Sequence, residues 1–202
     1  MPLIEIEVKF YIENYEKILH KVIEYADKSG KNSLEKNILF DTENKYLKKQ
    51  NKILRLRSYL GKTILTFKKH LPHSSNEFKE LEETEVFASS FEELNYILKN
   101  SGYSNTQVYE KMRQIFLKNN LEICLDRLPF GDFIELEGTK SDIKLAAQAL
   151  DLDWNKKILP SYRSIFEKIK LKHKLEFNDI TFENFKEFDQ KTFSGEIINF
   201  CL

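Results

Sequence analysis

Seven short stretches of this chain set acidic or basic side chains two residues apart, with mostly apolar ones between. They are Glu5, Glu7 and Lys9; Arg55 and Arg57; Thr66 and Lys68; Glu83 and Glu85; Lys111 and Arg113; Glu122, Cys124 and Asp126; and Glu135 and Glu137. In an extended strand neighbouring side chains point to opposite faces, so each set shares one face. The opposite faces carry residues such as Ile6, Val8, Leu54, Leu56, Ile123, Leu125, Ile134 and Leu136. Carboxylates hold hard divalent ions such as Mg²⁺ or Mn²⁺, and Arg and Lys clamp phosphate oxygens. Faces of both signs brought around one space would suit a metal ion and an anionic ligand together.

The elements that must position them follow from periodicity. Strands are expected at 5–9, 37–41, 53–59, 63–69, 78–87, 109–117, 121–128 and 131–138. Tight turns at Gly61-Lys62, Asn119-Asn120 and Pro129-Phe130-Gly131 join several of them. Ile18, Leu19, Val22, Ile23 and Ala26 predict a helix from Glu13 to a stop at Gly30. Ser90 and Glu93 form a capping box for a helix closing at Gly102, and 141–150 and 162–175 read as two more. Residues 45–52 read as a short helix or turn.

About eight strands, mostly in neighbouring antiparallel pairs, predict a closed barrel, which leaves no edge exposed. A barrel greasy inside and charged outside would give the helices no apolar wall to pack on. With the charges inside, the helices cover an apolar exterior, and the interior charges must be paired, hydrated or bound to ions. The expected fold class is therefore α+β, a closed antiparallel β-barrel with helices packed on its outside. Residues 1–175 are expected to form the tunnel and 176–202 a Phe-rich tail closing one mouth, all within a single domain.

Composition excludes several other classes. Lys+Arg and Asp+Glu each number 32, a formal net charge of +0, so there is no global pull toward nucleic acid or anionic membrane. Cys124 and Cys201 fit neither a zinc site nor a disulfide framework. The N-terminus reaches charge at Glu5 without a signal-peptide core, and no apolar run approaches the roughly 18 residues that span a bilayer. A cytoplasmic protein is expected, with neither nucleic acid nor membrane as partner.

The ordered set of motifs resembles the CYTH family, the triphosphate tunnel metalloenzymes that include class IV adenylyl cyclases and thiamine triphosphatases. Glu5-x-Glu7-x-Lys9, Leu39-Phe40-Asp41, Leu54-Arg55-Leu56-Arg57 and Thr66-Phe67-Lys68 come first. Glu83-Thr84-Glu85-Val86, Lys111-Met112-Arg113, Asp126, Gly131 to Glu137 and Ser161-Tyr162 follow in the family's order. The resemblance implies an eight-stranded tunnel with one or two Mg²⁺ or Mn²⁺ ions. It implies metal ligation by Glu5, Glu7, Glu83, Glu85, Asp126, Glu135 and Glu137. Phosphate binding would fall to Lys9, Arg55, Arg57, Lys68, Lys111 and Arg113, and the catalytic set would be Glu5, Glu7, Lys9, Asp126, Glu135 and Glu137. Leu81 stands where many relatives carry an acid.

The implied activity is that of an enzyme acting on ATP or another triphosphate or polyphosphate. Motif order points to cyclisation of ATP to cyclic AMP and pyrophosphate. The class IV cyclases' His-Phe pair ahead of Glu-x-Glu-x-Lys has no counterpart in the four residues before Glu5, which favours hydrolysis of tripolyphosphate, thiamine triphosphate or a nucleoside triphosphate. A non-catalytic polyphosphate or nucleotide sensor is a third reading, and the oligomeric state is open between monomer and homodimer. Gly61-Lys62-Thr63 echoes a P-loop, but Leu56 stands at its leading Gly and the turn reading prevails. His70 and His73 read as loop residues, and Cys124 as a small inward filler.

Overall fold

The structure, a computed structural model, describes residues 3–71 and 76–200, so His73 lies outside the described residues. Its strands are β1 (Leu3–Ile12), β2 (Lys28–Ser29), β3 (Ser33–Asp41), β4 (Lys52–Tyr59), β5 (Lys62–His70), β6 (Lys79–Ala88), β7 (Ser104–Lys118), β8 (Leu121–Leu128) and β9 (Gly131–Glu137). They pair in the order β2-β7-β3-β4-β5-β6-β1-β9-β8, and β7 pairs with β8 as well. That last pairing closes the ring of eight strands expected from the sequence, with β2 appended outside it. Every ladder is antiparallel.

Register keeps like faces together. Arg55 pairs with Thr66, Thr66 with Glu85, Lys68 with Glu83, Glu7 with Glu137 and Arg113 with Asp126. A slip of one residue would turn a whole charged row outward and an apolar row inward, so burial on both faces pins the register.

The exterior is apolar where helices cover it. Helices α1 (Tyr15–Tyr25) and α4 (Lys140–Ala149) lay Val22, Ile143, Ala146 and Ala147 on Val8, Phe10, Ile123, Leu125, Ile134 and Leu136. Helices α2 (Tyr46–Lys49) and α3 (Phe91–Asn100) bring Leu47 and Leu98 onto Ile38, Phe40, Leu54 and Leu56. Leu56, Ile123 and Leu136 are fully buried, each contributing about 1.5–3 kcal/mol. The expected capping box shows its first half, with Ser90 accepting from the Glu93 amide at 3.1 Å.

Helix α5 (Tyr162–His173), the tail and α6 (Ser194–Ile198) build a third cluster around the β8–β9 turn. Its centre is aromatic: Phe185 lies 5.1 Å from Phe177 and 5.6 Å from Phe193 between ring centroids. The tail also adds backbone bonds. Ile180 donates to Val108 O and accepts from Glu110 N, both at 2.8 Å, along the part of β7 that β8 does not reach.

Some boundaries differ from the sequence reading in ways that bear on the barrel wall. Helix α1 ends at Tyr25 rather than running toward Gly30, because the chain turns into β2, where Asp27 N and Gly30 N donate to Leu117 O and Ile115 O. Gly30 is a close approach, since a Cβ there would meet Ile115 O at 3.0 Å. Strands β3 and β7 each begin earlier than expected, and with them Glu35 and Gln107 enter the barrel wall. Among the described residues no helix is long and apolar enough to cross a membrane.

Candidate active site

The barrel encloses a cavity of about 470 Å³ whose wall carries both signs of charge. Strand β1 contributes Glu5, Glu7 and Lys9; β4 and β5 contribute Arg55, Arg57 and Lys68; β6 contributes Glu83 and Glu85. Strand β7 adds Lys111 and Arg113, and β9 adds Glu135 and Glu137. Asp126 stands just behind this lining, fully buried. The tunnel thus brings together the acids and bases that the sequence reading assigned to metal and phosphate, with Asp126 just behind the others.

The charges form three linked groups. In the first, Lys68 Nζ donates to both oxygens of Glu5 at 2.7 and 2.6 Å and lies 3.2 Å from Glu83. Lys79 Nζ donates to Glu7 at 2.6 Å, and Lys9 Nζ does so at 3.3 Å. Burial alone would raise the Glu7 pKa, but Lys79, Lys9 and Lys68 outweigh it and hold the carboxyl well below its usual range. Glu83 goes the other way, to about 7, because burial and the neighbouring Glu5 and Glu85 prevail over Lys68 and Arg55.

The second group centres on Asp126. Its carboxylate accepts from Lys111 Nζ at 2.9 Å, Arg113 Nε at 2.6 Å, Arg113 Nη2 at 2.5 Å and Tyr162 Oη at 3.0 Å. Arg113 Nη2 also donates to Glu135. Glu35, fully buried, lies 3.5 Å from Lys111, 3.8 Å from Arg113 and 3.7 Å from Arg57, and accepts from Asn37 at 2.9 Å. Tyr162 closes the group from outside the barrel, with Lys9 and Lys111 ammonium groups each 5.3 Å from its ring centroid. Two buried carboxylates therefore hold three tunnel cations in fixed orientations. Asp126 is an anchor for Lys111 and Arg113, with both oxygens engaged.

Arg55 and Arg57 form the third group. Arg55 donates to Tyr109 Oη at 3.2 Å and to Thr66 Oγ1 at 3.3 Å, and Thr66 Oγ1 donates to Glu85 at 2.6 Å. The buried Nε of each arginine has no hydrogen-bond acceptor among the described residues. Their carboxylate neighbours stand beyond hydrogen-bond distance, Glu35 3.7 Å from Arg57 Nε and Glu83 and Glu85 3.8 and 3.7 Å from Arg55 Nη2, so a closer anion would satisfy donors that these ion pairs leave without a hydrogen bond.

Glu137 is crowded by Glu5, Glu122 and Glu7, and burial together with that crowding pushes its carboxyl up to about 8. Glu137 and Glu122, which no lysine or arginine holds, offer all-oxygen ligands of the kind that suit a hard cation such as Mg²⁺ or Mn²⁺. Among the described residues no three such groups already stand as a ready ligand set, since Lys68 and Lys79 hold Glu5 and Glu7.

Sequence reasoning missed Lys79 and Glu35, while Glu122 lines the cavity as its place on the charged face of β8 predicts. Lys79 continues the inward parity of Leu81, Glu83 and Glu85, a signal that was present in the sequence. Glu35 lies in the polar first half of β3, which lacks apolar alternation. Leu81, fully buried and paired with Glu5, puts an apolar side chain in the tunnel wall where an acid was expected. Cys124 faces inward and buried, its thiol pushed well up by burial, consistent with a filler.

A protein of Methanocaldococcus jannaschii provisionally named as an adenylate cyclase is 27% identical over 150 residues, covering 74% of this chain and 85% of that one. A crystal structure from Vibrio parahaemolyticus, also described provisionally as an adenylate cyclase, superposes with a TM-score of 0.71 at 23% identity, covering 83% of this chain and 99% of that one. A Hippeastrum protein described as a provisional adenylyl cyclase with dominant triphosphatase activity superposes at 0.58 with 17% identity, covering 83% and 96%. The family model for the CYTH domain matches residues 3–184, and the chain belongs to that family.

Proposed function

We propose that this chain is a divalent-metal-dependent enzyme that binds the triphosphate of ATP in the tunnel and converts it to cyclic AMP and pyrophosphate. The observation that carries the reading is the two-signed tunnel. Arg55 and Arg57, each with a buried Nε that has no hydrogen-bond acceptor, and Lys111 and Arg113 held by Asp126 and Glu35, stand in one cavity with the crowded carboxylates around Glu137. The names of the Methanocaldococcus and Vibrio relatives agree with it.

In cyclisation the ribose 3′-oxygen attacks the α-phosphorus while the bond to the bridging β-oxygen breaks. That oxygen leaves with the electron pair as pyrophosphate, and the 3′-hydroxyl proton passes to a tunnel carboxylate. Such reactions gain most from positioning and charge neutralisation. Arg55, Arg57, Lys68, Lys111 and Arg113 would bind the phosphoryl oxygens, and Lys9 would join them from β1. Asp126, Glu35 and Tyr162 are positioning residues that hold these cations in place. Glu5, Glu7 and Glu137 would hold the cation, with Glu83, Glu85 and Glu135 beside them. A bound Mg²⁺ or Mn²⁺ would neutralise phosphate charge and favour the attacking oxygen.

A second reading is hydrolysis, with water attacking the terminal phosphorus. It is favoured by the dominant triphosphatase activity described for the Hippeastrum structure. Product analysis separates the two, using ATP and, separately, tripolyphosphate, each with Mg²⁺ or Mn²⁺. Cyclic AMP with pyrophosphate supports cyclisation. Orthophosphate, released faster from tripolyphosphate, replaces that reading with hydrolysis. Tight binding without any product would leave a sensor.

A further inference from the structure

One tunnel cation stands among the acids and apart from the cations assigned to phosphate. Strand β6 turns Lys79, Leu81, Glu83 and Glu85 into the cavity. The first two sit directly across from the acids of β1, Lys79 opposite Glu7 and Leu81 opposite Glu5. Register carries the line onward, since Glu7 pairs with Glu137 on β9 and Glu137 with Glu122 on β8. Across four neighbouring strands the wall therefore reads ammonium, carboxylate, carboxylate, carboxylate. Directly opposed side chains in such ladders are near neighbours, about 5 Å apart at Cβ.

Lys79 is fixed in this row. Its Nζ donates to Glu7 Oε1 at 2.6 Å, the same oxygen that Lys9 reaches at 3.3 Å, and its side chain is largely buried. Lys68 differs, because it holds Glu5 and also lies 3.2 Å from Glu83, bridging the acids to the basic side of the tunnel. Among the described residues Lys79 pairs with Glu7 alone.

Few acids are left for metal. Glu5 is held by Lys68, Glu7 by Lys79 and Lys9, and Glu135 by Arg113 and Lys9. Further along β6, Glu83 and Glu85 face Lys68 and Arg55. Among the described residues Glu137 and Glu122 form no ion pair, and Glu122 accepts only from the Cys124 thiol at 3.3 Å. Two carboxylates match the charge of one divalent ion. A second ion needs oxygen ligands of its own, and beside Glu5 and Glu7 strand β6 offers a buried isobutyl group and an ammonium instead.

We infer that Lys79 takes the place of a second divalent ion: the tunnel holds one Mg²⁺ or Mn²⁺ among the acids around Glu137, and the Lys79 ammonium supplies fixed positive charge on the β6 side of Glu7. The inference rests on the metal-dependent reading above and sets the metal count within it. An ammonium neutralises charge and donates hydrogen bonds, but it does not ionise a bound water as a metal does.

The test counts Mn²⁺ bound to the full chain without nucleotide, from the paramagnetic resonance signal of the free ion during titration. Wild type is expected to bind one Mn²⁺ per chain. Lys79→Met removes the ammonium and should tighten that ion by about tenfold, the effect of deleting one nearby unit charge under near-aqueous screening. Lys79→Arg keeps the charge and should keep the wild-type count and affinity. Lys79→Met combined with Leu81→Glu returns an acid to β6 and should raise the count to two, with a melting curve to show that the variant is folded. Two ions in wild type overturn the inference, a result that requires no variant to fold. Wild-type affinity in Lys79→Met overturns it, as does a count of one in the folded double variant. An affinity change shared by the Met and Arg variants would mark a packing effect and overturns it too. If wild type binds no Mn²⁺, the metal-dependent reading itself falls; two ions leave that reading standing and remove only this inference.

Discussion

Asp126→Asn isolates the work of the buried anchor. The carboxylate is fully buried and accepts four hydrogen bonds, three of them from Lys111 and Arg113. An amide keeps the shape but removes the charge and turns an N–H₂ toward two cations. Removing one partner of a buried ion pair costs about 3–5 kcal/mol, which for a chain of this size lowers the melting temperature by roughly 6–20 °C. Proton linkage gives an independent figure. Burial would raise the Asp126 pKa, but Arg113 and Lys111 outweigh it and hold the group at about 2 against 3.8. That is worth roughly 2–3 kcal/mol. Because the folded pKa is the lower one, this contribution is present above pH 3.8 and is lost as pH falls toward 2. Urea unfolding at neutral pH and along an acid series measures both. The variant should be less stable at pH 7, and its stability should fall less steeply between pH 4 and 2. Its Mg²⁺ dependence should be unchanged, whereas affinity for a non-cleavable triphosphate should drop. A neutral-pH loss below about 1 kcal/mol with an unchanged m-value would refute the anchor argument.

Other substitutions probe the remaining parts. Glu137, raised to about 8 by burial and by Glu5, Glu122 and Glu7, should make the metal-free protein less stable as pH rises from about 4.5 to about 8. Glu137→Gln should flatten that fall and gain about 1–3 kcal/mol above pH 8, while abolishing the thermal shift produced by Mg²⁺; melting curves at two pH values check it. Asp41 accepts from the backbone amides of Thr42, Leu47 and Lys48 at 2.8, 2.8 and 2.9 Å, so Asp41→Ala should cost about 1–3 kcal/mol and speed amide exchange in α2. Phe193, fully buried among Phe185, Phe188 and His173, makes Phe193→Ala a loss of about 3–5 kcal/mol by chemical denaturation. An unaffected variant would mean that the tail does not contribute to the folded core.

The period of two in charged and apolar residues determined a great deal by itself. It set the number of barrel strands and the direction in which Glu5, Arg55, Lys111 and Glu135 point. Both follow from local geometry, because alternate side chains in a strand part to opposite faces whatever surrounds them. The need of α1, α3 and α4 for an apolar wall then chose the inside for the charges, and the packing of Val22, Leu98 and Ala146 on the barrel exterior bears this out. Helix ends were less legible: the apolar spacing of 18–26 does not show that Asp27 and Gly30 are drawn off to pair with β7.

What only the tertiary structure decided is which charge meets which. Glu35 lies 3.5 Å from Lys111 and Lys79 2.6 Å from Glu7 across strands distant in sequence, and no local pattern encodes that pairing. Asp126 looked in the sequence like one more acid on an inward face. Folding surrounds it with Arg113, Lys111 and Tyr162 and makes it an anchor for cations. The same holds for the tail, whose Phe residues show in sequence only as apolar. Their place at the β8–β9 turn depends on a surface that exists once the barrel has closed. Periodicity reports the face on which a side chain lies; the partner it finds there is set by register, closure and burial.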